Sequence, residues 1–358
     1  MKSIMWTYIN EEKAVLTQLM QSQKITETVS LIPLEITKNL LFISSGSSHN
    51  IVRCAKNFIE RYGVTNVTTL YPYEFMKENR MVLKYPLEDT LVVGISQTGT
   101  SAGPYECLTK AKEIGYQILT LTERPETPIA NIGDWTINFE CGEEACNAKT
   151  KGYSASLLLL HLIAIELGKR KEIVEYGTAL ALRKELQESI DEIPSVIDKT
   201  LAWAKKHRKW AKAPYFMVLG HDDNTGTAME GALKLLETVL VPGIGSDIDE
   251  YAHGNHRLLE DKSYVILIHS QGNLSEKMRK TVEYMRLKTP NRLVIRSTEA
   301  LDKSKDEITL KPKRLTNSCL TTVVVFQVLA VLLPELLKHD PNVEKNEDYI
   351  AKLKSRTY

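Results

Sequence analysis

Short apolar runs alternate with longer amphipathic stretches along most of the chain. Runs rich in Leu, Ile and Val that end at a turn residue predict buried parallel strands, and the stretches between them predict crossover helices. The predicted strands are 40–43, 90–95, 118–121, 135–139, 215–219 and 264–268. The pattern therefore predicts an α/β protein built on doubly wound parallel sheets.

The same order of predicted strands and following turn residues occurs twice along the chain, which predicts an internal repeat. One offset of 174 residues relates Gly46 to Gly220, Ser96 to Ser270, and Ile118 to Arg292. Because three strand ends share the offset, the sequence predicts two similar tandem domains of flavodoxin-like type. The predicted segments are an N-terminal helical extension (1–30), a first domain (31–171), connecting helices (172–213), a second domain (214–339) and a C-terminal tail (340–358).

One apolar segment, 320–337, approaches the length of a membrane-spanning helix. Gln327, Pro334 and Glu335 interrupt it, so we expect a buried helix of the fold instead. At the start of the chain, Glu11, Glu12 and Lys13 occur where a signal peptide would need its apolar core. These two observations favour a protein that stays in the cytoplasm.

The amino-acid composition limits the kinds of molecule that the chain is expected to bind. The chain has 358 residues, with 46 basic and 45 acidic side chains and no long run of one sign, so we expect no nucleic-acid groove and no anionic membrane surface. Its five scattered cysteines form no CxxC pair and favour reduced thiols. An anionic ligand would therefore need a local site.

Two loops supply such a site. Gly46-Ser47-Ser48 and the hydroxyl loop Ser96-Gln97-Thr98-Gly99-Thr100-Ser101 each lie between a predicted strand and a helix, where helix N-termini favour anions. Ser and Thr are also common N-caps and turn residues, so capping alone is the alternative. Two such loops at one sheet edge favour a ligand, and neither ends in the Lys of a nucleotide P-loop. In the second domain, 270–273 has lost most of these hydroxyls, which predicts one phosphate site per chain.

These loops resemble the paired phosphate motifs of the sugar isomerase (SIS) domain family, and the resemblance covers nearly the whole chain. Asn147 to Ser154 resembles a third motif of the family, and Glu230 to Glu237 resembles the helix that carries its catalytic carboxylate. The tandem arrangement resembles the isomerase half of glucosamine-6-phosphate synthase. It also resembles the standalone deglycases of fructoselysine 6-phosphate and glucoselysine 6-phosphate.

The resemblance implies roles for individual residues. Glu237 would move a proton between two sugar carbons, with Lys234 beside it on one helix face, although such a pair is often only a surface ion pair. His253 would open the sugar ring and, in relatives, comes from the neighbouring subunit, which implies a homodimer or higher homo-oligomer. Lys352 would form an imine with the open sugar or remain a solvated charge. The substrate-binding residues implied are Ser47, Ser48, Ser96, Gln97, Thr98 and Ser101 for the phosphate, and Gly46, Asn147 and Ala351 for the rest of the sugar.

The sequence departs from the family pattern after His253-Gly254. Asn255 replaces the family proline and His256 follows, so His256 would either face the amino-acid part of a substrate or cap a turn. No cluster of metal ligands accompanies these histidines, so we expect neither a metal nor another cofactor.

Three functions stay open. The first is a deglycase that splits phosphorylated sugar–amino acid adducts into a hexose 6-phosphate and an amino acid, favoured because the glutaminase half and its ammonia are not expected. The second is an aldose–ketose isomerase or an amino-sugar phosphate deaminase that uses the same residues. The third is a non-catalytic sugar-phosphate sensor, since the fold also serves in regulation. For the two enzymatic functions we expect one domain to hold the phosphate and the other to supply the chemistry.

Overall fold

A computed structural model describes residues 3–77, 81–299 and 306–357. The chain divides into two compact units. The first-sheet unit comprises Ala14–Glu144, Gly152–Lys184 and Glu344–Tyr358. The second-sheet unit comprises Met1–Lys13, Ala145–Lys151 and Glu185–Val343.

Each unit is built on one parallel sheet of five strands. The strands of the first sheet are β1 (Asn39–Ile43), β2 (Asn66–Leu70), β3 (Thr90–Ile95), β4 (Gln117–Thr122) and β5 (Trp135–Asn138), in the spatial order β2-β1-β3-β4-β5. Those of the second are β6 (Phe216–Gly220), β7 (Gly243–Asp247), β8 (Val265–Ser270), β9 (Arg292–Ser297) and β10 (Glu307–Thr309), in the order β10-β9-β8-β6-β7. Read from the other side, the second order is that of the first, so the two sheets share the flavodoxin-like topology.

The helices connect these strands as crossovers or extend from them. They are α1 (Met5–Gln21), α2 (Lys24–Leu31), α3 (Ser47–Gly63), α4 (Pro72–Lys77), α5 (Met81–Lys84), α6 (Ala102–Ile114), α7 (Pro128–Ile132), α8 (Lys151–Arg170), α9 (Tyr176–Lys206), α10 (Asn224–Val239), α11 (Ile248–Tyr251), α12 (Ser275–Lys288), α13 (Cys319–Leu336) and α14 (Glu347–Lys352). The α/β class and doubly wound parallel sheets predicted from the apolar pattern are confirmed.

All six predicted strands form, and β9 forms where the repeat relates Ile118 to Arg292, whereas β2, β7 and β10 have no counterpart in the prediction. The central strands β3 and β8 are buried along their whole length, and each contains an apolar run, Leu91 to Val93 in β3 and Val265 to Ile268 in β8. The missed strands lie at or next to a sheet edge, where exposure allows polar residues and glycine, as in the sequences NVTTL and GIGSD. An edge strand therefore lacks the apolar run that the prediction relied on.

The single repeat offset needs one correction. Gly46 is the N-cap of α3, whereas Gly220 is the last residue of β6 and the N-cap of α10 is Asp223. Three residues separate strand from helix in both cases, so the second domain has gained residues before β6 and the structural counterpart of Gly46 is Asp223. The pairing of Ser96 with Ser270 holds to within one residue, since β3 ends at Ile95 and β8 at Ser270.

Helix α13 is long and apolar enough to cross a membrane by length and composition, with a mean hydropathy of 2.1 over 18 residues. However, 83% of that window is buried within the protein. Burial on nearly all sides explains an all-round apolar helix without a membrane, because such a helix needs no polar face. The expected buried helix is therefore present as a core element of its unit.

Candidate functional site

The hydroxyl loop lies between β3 and α6, at the carboxyl edge of the first sheet. The Ser96 hydroxyl lies 3.1 Å from the Ser101 hydroxyl and accepts a hydrogen bond of 3.1 Å from the Gly99 amide. The Thr100 hydroxyl donates to the Thr98 hydroxyl over 3.1 Å. The loop thus arranges its hydroxyls in two pairs, while Gln97, Thr98 and Ser101 stay half-exposed.

Gly99 makes this compact loop possible. Its φ is +66°, in the left-handed region, and a Cβ there would come within 2.0 Å of the Thr127 hydroxyl oxygen. Because both the backbone conformation and the close approach exclude a side chain, only glycine fits without rearrangement. The glycine of the predicted phosphate loop is therefore required by the loop's own geometry.

Gln97 is held from both sides within its unit. Its side-chain amide donates to Glu144 over 3.0 Å, and the Gly152 amide donates to the same carboxylate over 3.2 Å. A Cβ on Gly152 would meet the Gln97 amide nitrogen at 2.0 Å, so the glycine allows the side chain to lie against the start of α8. The side chain of Gln97 therefore has a fixed position within the hydroxyl loop.

The second predicted loop opens α3. Gly46 is its N-cap with φ +54°, and Ser47 and Ser48 form its first turn, both half-buried. His49 follows; its Nδ1 lies 3.2 Å from the Thr69 hydroxyl and its ring stacks on Tyr71 at 4.3 Å. Burial lowers the pKa of His49, and the positive charge of Arg53 lowers it further. We therefore expect His49 to be neutral at physiological pH.

The C-terminal strand, defined here as Ser355, Arg356 and Thr357, pairs with the hydroxyl loop in the first-sheet unit. The Ala102 amide donates to the Ser355 carbonyl over 3.0 Å, and the Thr357 amide donates to the Thr100 carbonyl over 2.8 Å. Ser101 and Arg356 face each other across this antiparallel bridge. Ala351 and Lys352 lie just upstream at the end of α14, and both are exposed.

The carboxyl edge of the second sheet has a different chemistry. His221, fully buried, lies with its Nδ1 2.9 Å from the Asp222 carboxylate. The Ser270 amide donates to the His221 Nε2 over 3.3 Å, and the Leu274 amide donates to Asp222 over 3.3 Å. A carboxylate of the chain thus accepts hydrogen bonds at the edge where the first sheet has hydroxyls.

Helix α10 begins at this edge and carries the predicted catalytic residues. Lys234 is fully buried and forms an ion pair of 2.8 Å with Glu230, which is fully buried as well. Its ammonium also donates to the backbone carbonyl of Lys149. The surface ion pair considered for Lys234 and Glu237 is therefore wrong, because Lys234 is inside the unit and its direct partner is Glu230, one turn earlier.

Glu237 is half-buried on the same helix, seven positions after Glu230. Burial raises the pKa of Glu237 to about 7; the positive charges of Lys234 and Lys149 oppose this rise, whereas the negative charge of Glu230 adds to it. A carboxyl group with such a pKa is present in both protonation states near neutral pH, so it can act as base and as acid.

The remaining predicted residues of the second-sheet unit lie at its surface. His253 is exposed in the turn after α11, and His256 is exposed in the single 3₁₀ turn Asn255–Leu258. The Asn147 side-chain amide donates to the Asn342 carbonyl over 3.0 Å. Asn147 thus contacts its own chain through its side-chain amide.

Two residues near Glu237 were not predicted as functional. Glu230 neutralises the buried Lys234, and Lys149 contributes a carbonyl to Lys234 and a positive charge that acts on Glu237. Glu230 precedes Lys234 by four positions, the spacing that favours an ion pair on a helix, so its pairing could have been predicted. The role of Lys149 is a long-range contact and leaves no local signal.

The family model described as "SIS domain" matches residues 34–166. A curated relative, the isomerizing glutamine–fructose-6-phosphate aminotransferase of Thermococcus kodakarensis, is 26% identical over 313 residues, which are 86% of this chain and 51% of the relative. The enzyme of the same name from Pyrococcus horikoshii is 27% identical over 319 residues, 86% of this chain and 50% of the relative. The chain therefore spans about half the length of these curated relatives.

Solved structures share the fold. A candidate phosphosugar isomerase from Clostridium difficile has a TM-score of 0.89 at 23% identity and covers 99% of both chains. The C-terminal domain of glucosamine-fructose-6-phosphate aminotransferase from Francisella tularensis has a TM-score of 0.84 at 18% identity, over 96% of this chain and 99% of that one. The family match over residues 34–166 confirms the resemblance seen in the motifs of that segment, and the solved structures show that the whole chain shares their fold.

Proposed function

We propose that this chain is an isomerase-type enzyme of sugar phosphates, in which the hydroxyl loop binds the phosphate and Glu237 moves a proton between C1 and C2 of the sugar. The observation that carries the proposal is the half-buried Glu237, whose pKa of about 7 suits a group that must both accept and return a proton. The hydroxyl groups of Ser96, Thr98 and Ser101 support the phosphate assignment, since hydroxyls donate hydrogen bonds to phosphate oxygens.

The carbon-to-carbon proton transfer needs no other reagent, and it is balanced by a second proton movement: the hydroxyl or amine on the carbon that is deprotonated loses a proton, and the former carbonyl oxygen or imine nitrogen gains one. Ionised Glu237 takes the proton from the carbon beside the carbonyl or imine, and the electron pair of that C–H bond forms the enediol or enaminol double bond. Protonated Glu237 then returns the proton to the neighbouring carbon. The net result is exchange of the carbonyl position, with Glu237 restored to its ionised form.

Within this class, we favour a deglycase that acts on adducts of the fructoselysine or glucoselysine 6-phosphate type. Proton transfer by Glu237 would convert the adduct into an imine, water would add across the C=N bond, and the C–N bond would break as the nitrogen takes a proton. The products would be a hexose 6-phosphate and a free amino acid. The departure at Asn255 and His256 from the family motif supports a substrate that differs from a simple sugar phosphate.

Two further roles belong to the proposal. His253 would transfer a proton to the ring oxygen and so open the sugar ring, and its exposure is compatible with a site completed by a neighbouring subunit. Lys352 would form an imine or stabilise charge. We also propose that the protein is cytoplasmic and forms a homodimer or higher homo-oligomer. Light scattering after gel filtration would test the oligomeric state.

A panel of phosphorylated sugar adducts, assayed for release of hexose 6-phosphate, tests the function. We expect turnover by the wild-type chain and a loss of at least about 1,000-fold in kcat for Glu237→Gln, because the amide cannot accept the proton. Glu283→Gln, at an exposed position of α12, is the matched control and should keep full activity.

The panel also separates the alternatives. Turnover of glucosamine 6-phosphate or simple aldose phosphates but not of adducts would indicate an isomerase or deaminase. Tight binding of phosphosugars without any turnover would indicate a sensor and would contradict an enzymatic role. Borohydride trapping of a substrate imine in the wild type and in Lys354→Ala, with loss in Lys352→Ala, would assign the imine to Lys352.

A further inference from the structure

The hydroxyl loops carry no positive charge of their own. Neither Gly46-Ser47-Ser48 nor Ser96 to Ser101 contains Lys or Arg. A phosphate monoester carries between one and two negative charges near neutral pH, and hydrogen bonds to a charged group are stronger when the donor is charged too. A cation from elsewhere in the chain would therefore strengthen binding at the proposed phosphate site.

The N-terminus of α6 supplies fewer free donors than a helix of this length usually does. The Ala102 amide already donates to the Ser355 carbonyl, and the Tyr105 amide donates to the Ser101 carbonyl over 3.1 Å. Pro104 has no amide hydrogen. The bond from Tyr105 is the first regular bond of the helix, so of the four amides that a helix start normally offers to an anion, two, those of Ala102 and Pro104, are taken or missing.

The C-terminal strand that takes the Ala102 amide brings an arginine to the same place. Arg356 lies directly opposite Ser101 in the antiparallel bridge, and Ser101 is one of the loop hydroxyls. Residues opposite each other in such a pair carry their side chains on the same face, with Cβ atoms roughly 5 Å apart. Arg356 is also exposed, so its guanidinium stays available to a ligand.

We propose that Arg356 is the cation of the phosphate site and that pairing of the C-terminal strand with the hydroxyl loop positions it. The inference rests on the proposed phosphosugar site but not on turnover. Arg124 is a weaker candidate because it is paired with Glu143 over 2.9 Å. Arg53, which acts on His49 from α3, is the rival that the experiment must exclude.

Titration calorimetry on the full chain, with inorganic phosphate and with fructose 6-phosphate as probes, tests whether the charge of Arg356 contributes to phosphate binding. We expect Arg356→Gln to weaken the binding of both probes about 10-fold, since a guanidinium–phosphate contact is charge-assisted. Arg356→Lys should recover part of the loss, and the salt dependence of binding should become shallower in Arg356→Gln. Lys345→Gln, which removes an exposed cation from the same tail, should bind within about 2-fold of wild type.

A second pair of variants tests the positioning. Thr357→Pro removes the amide that donates to the Thr100 carbonyl, whereas Thr357→Ala removes only the hydroxyl that donates to that carbonyl over 3.2 Å. We expect Thr357→Pro to weaken phosphate binding about as much as Arg356→Gln does, and Thr357→Ala to change it little. Melting temperatures close to wild type would show that the unit remains folded.

The outcomes separate this inference from the proposed function. If the wild type binds both probes and Arg356→Gln binds them equally well, only the role of Arg356 is wrong. The same conclusion follows if Arg53→Gln, and not Arg356→Gln, weakens binding. If the wild type binds neither probe, the phosphate site itself is wrong and both proposals fail.

Discussion

The carboxyl edges of the two sheets have the same strand order and the same three-residue link from first strand to helix, yet they differ in charge. The first edge presents Ser47, Ser48 and the hydroxyl loop, and its helix N-cap is Gly46. The second presents Asp222 and the N-cap Asp223 instead. Since helix N-termini attract negative charge, the second edge satisfies that attraction with its own carboxylates, whereas the first leaves it to a ligand. Equal topology therefore does not imply equal binding.

The most severe way to break this contrast is to give the first edge a carboxylate. Ser101 is the N-cap of α6, a position where Asp is well tolerated, so Ser101→Asp should fold normally. We expect it to weaken the binding of fructose 6-phosphate at least 100-fold, because like charges would lie within one site. Calorimetry measures this loss.

The control for that variant adds the same charge to the second edge. Asn273→Asp changes an exposed residue of the loop that corresponds to the hydroxyl loop. Its affinity for fructose 6-phosphate should stay within about 2-fold of wild type, as expected of an exposed charge that solvent screens. Equal losses in both variants would contradict the assignment of the phosphate to the first edge.

Removing the carboxylate of the second edge should affect stability and not binding. Asp222→Ala would leave the fully buried His221 and the Leu274 amide without their acceptor. We expect a loss of about 2 kcal/mol in the free energy of unfolding, since hydrogen bonds to charged groups contribute roughly 1.5–3 kcal/mol. Asp222→Asn keeps an acceptor oxygen and should lose less. Denaturant titration measures both, and unchanged stability in Asp222→Ala would show that the carboxylate has no structural role.

A smaller effect concerns Glu237 and pH. In the folded state the pKa of the Glu237 carboxyl is about 7, whereas its ordinary value is 4.5. The folded state therefore binds more protons than the unfolded state between these values, and stability falls as pH rises across this window. Glu237→Gln has no carboxyl group at this position. Its free energy of unfolding, relative to that of wild type, should therefore increase from pH 4.5 to pH 7 and then stay constant. We expect about 1–2 kcal/mol after solvent screening.

Unfolding of wild type and of Glu237→Gln across this pH range tests the sign of the pH dependence of stability. A difference between wild type and Glu237→Gln that is independent of pH would mean that Glu237 titrates as an ordinary exposed carboxylate.

The sequence predicted the buried parts of the fold better than the edges. Strands such as β3 and β8 contain apolar runs because both faces are covered, and such runs can be recognised without a structure. In contrast, β10 is only three residues long and its pattern is not apolar. Edge strands depend on pairing with a neighbour, which a single sequence does not record.

The site was predictable in its motifs and not in its contacts. The spacing of Lys234 and Glu237 placed them on one helix face, but the pairing of Lys234 with Glu230 depends on complete burial. Likewise, the hydroxyls of the loop could be read from the sequence, whereas its pairing with Arg356 joins positions more than 250 residues apart. Long-range contacts of this kind follow from the fold and leave no local pattern.

The carboxylate of Asp222 has a consequence for how each unit responds to its surroundings. A ligand that binds only the folded state stabilises it in proportion to the logarithm of its free concentration, so the order of the first edge would rise and fall with the sugar-phosphate pool. Asp222 is covalently part of the chain, and its local concentration never changes. In hydrogen exchange, amides of the first edge would then report metabolite supply, while those of the second edge would serve as an internal reference.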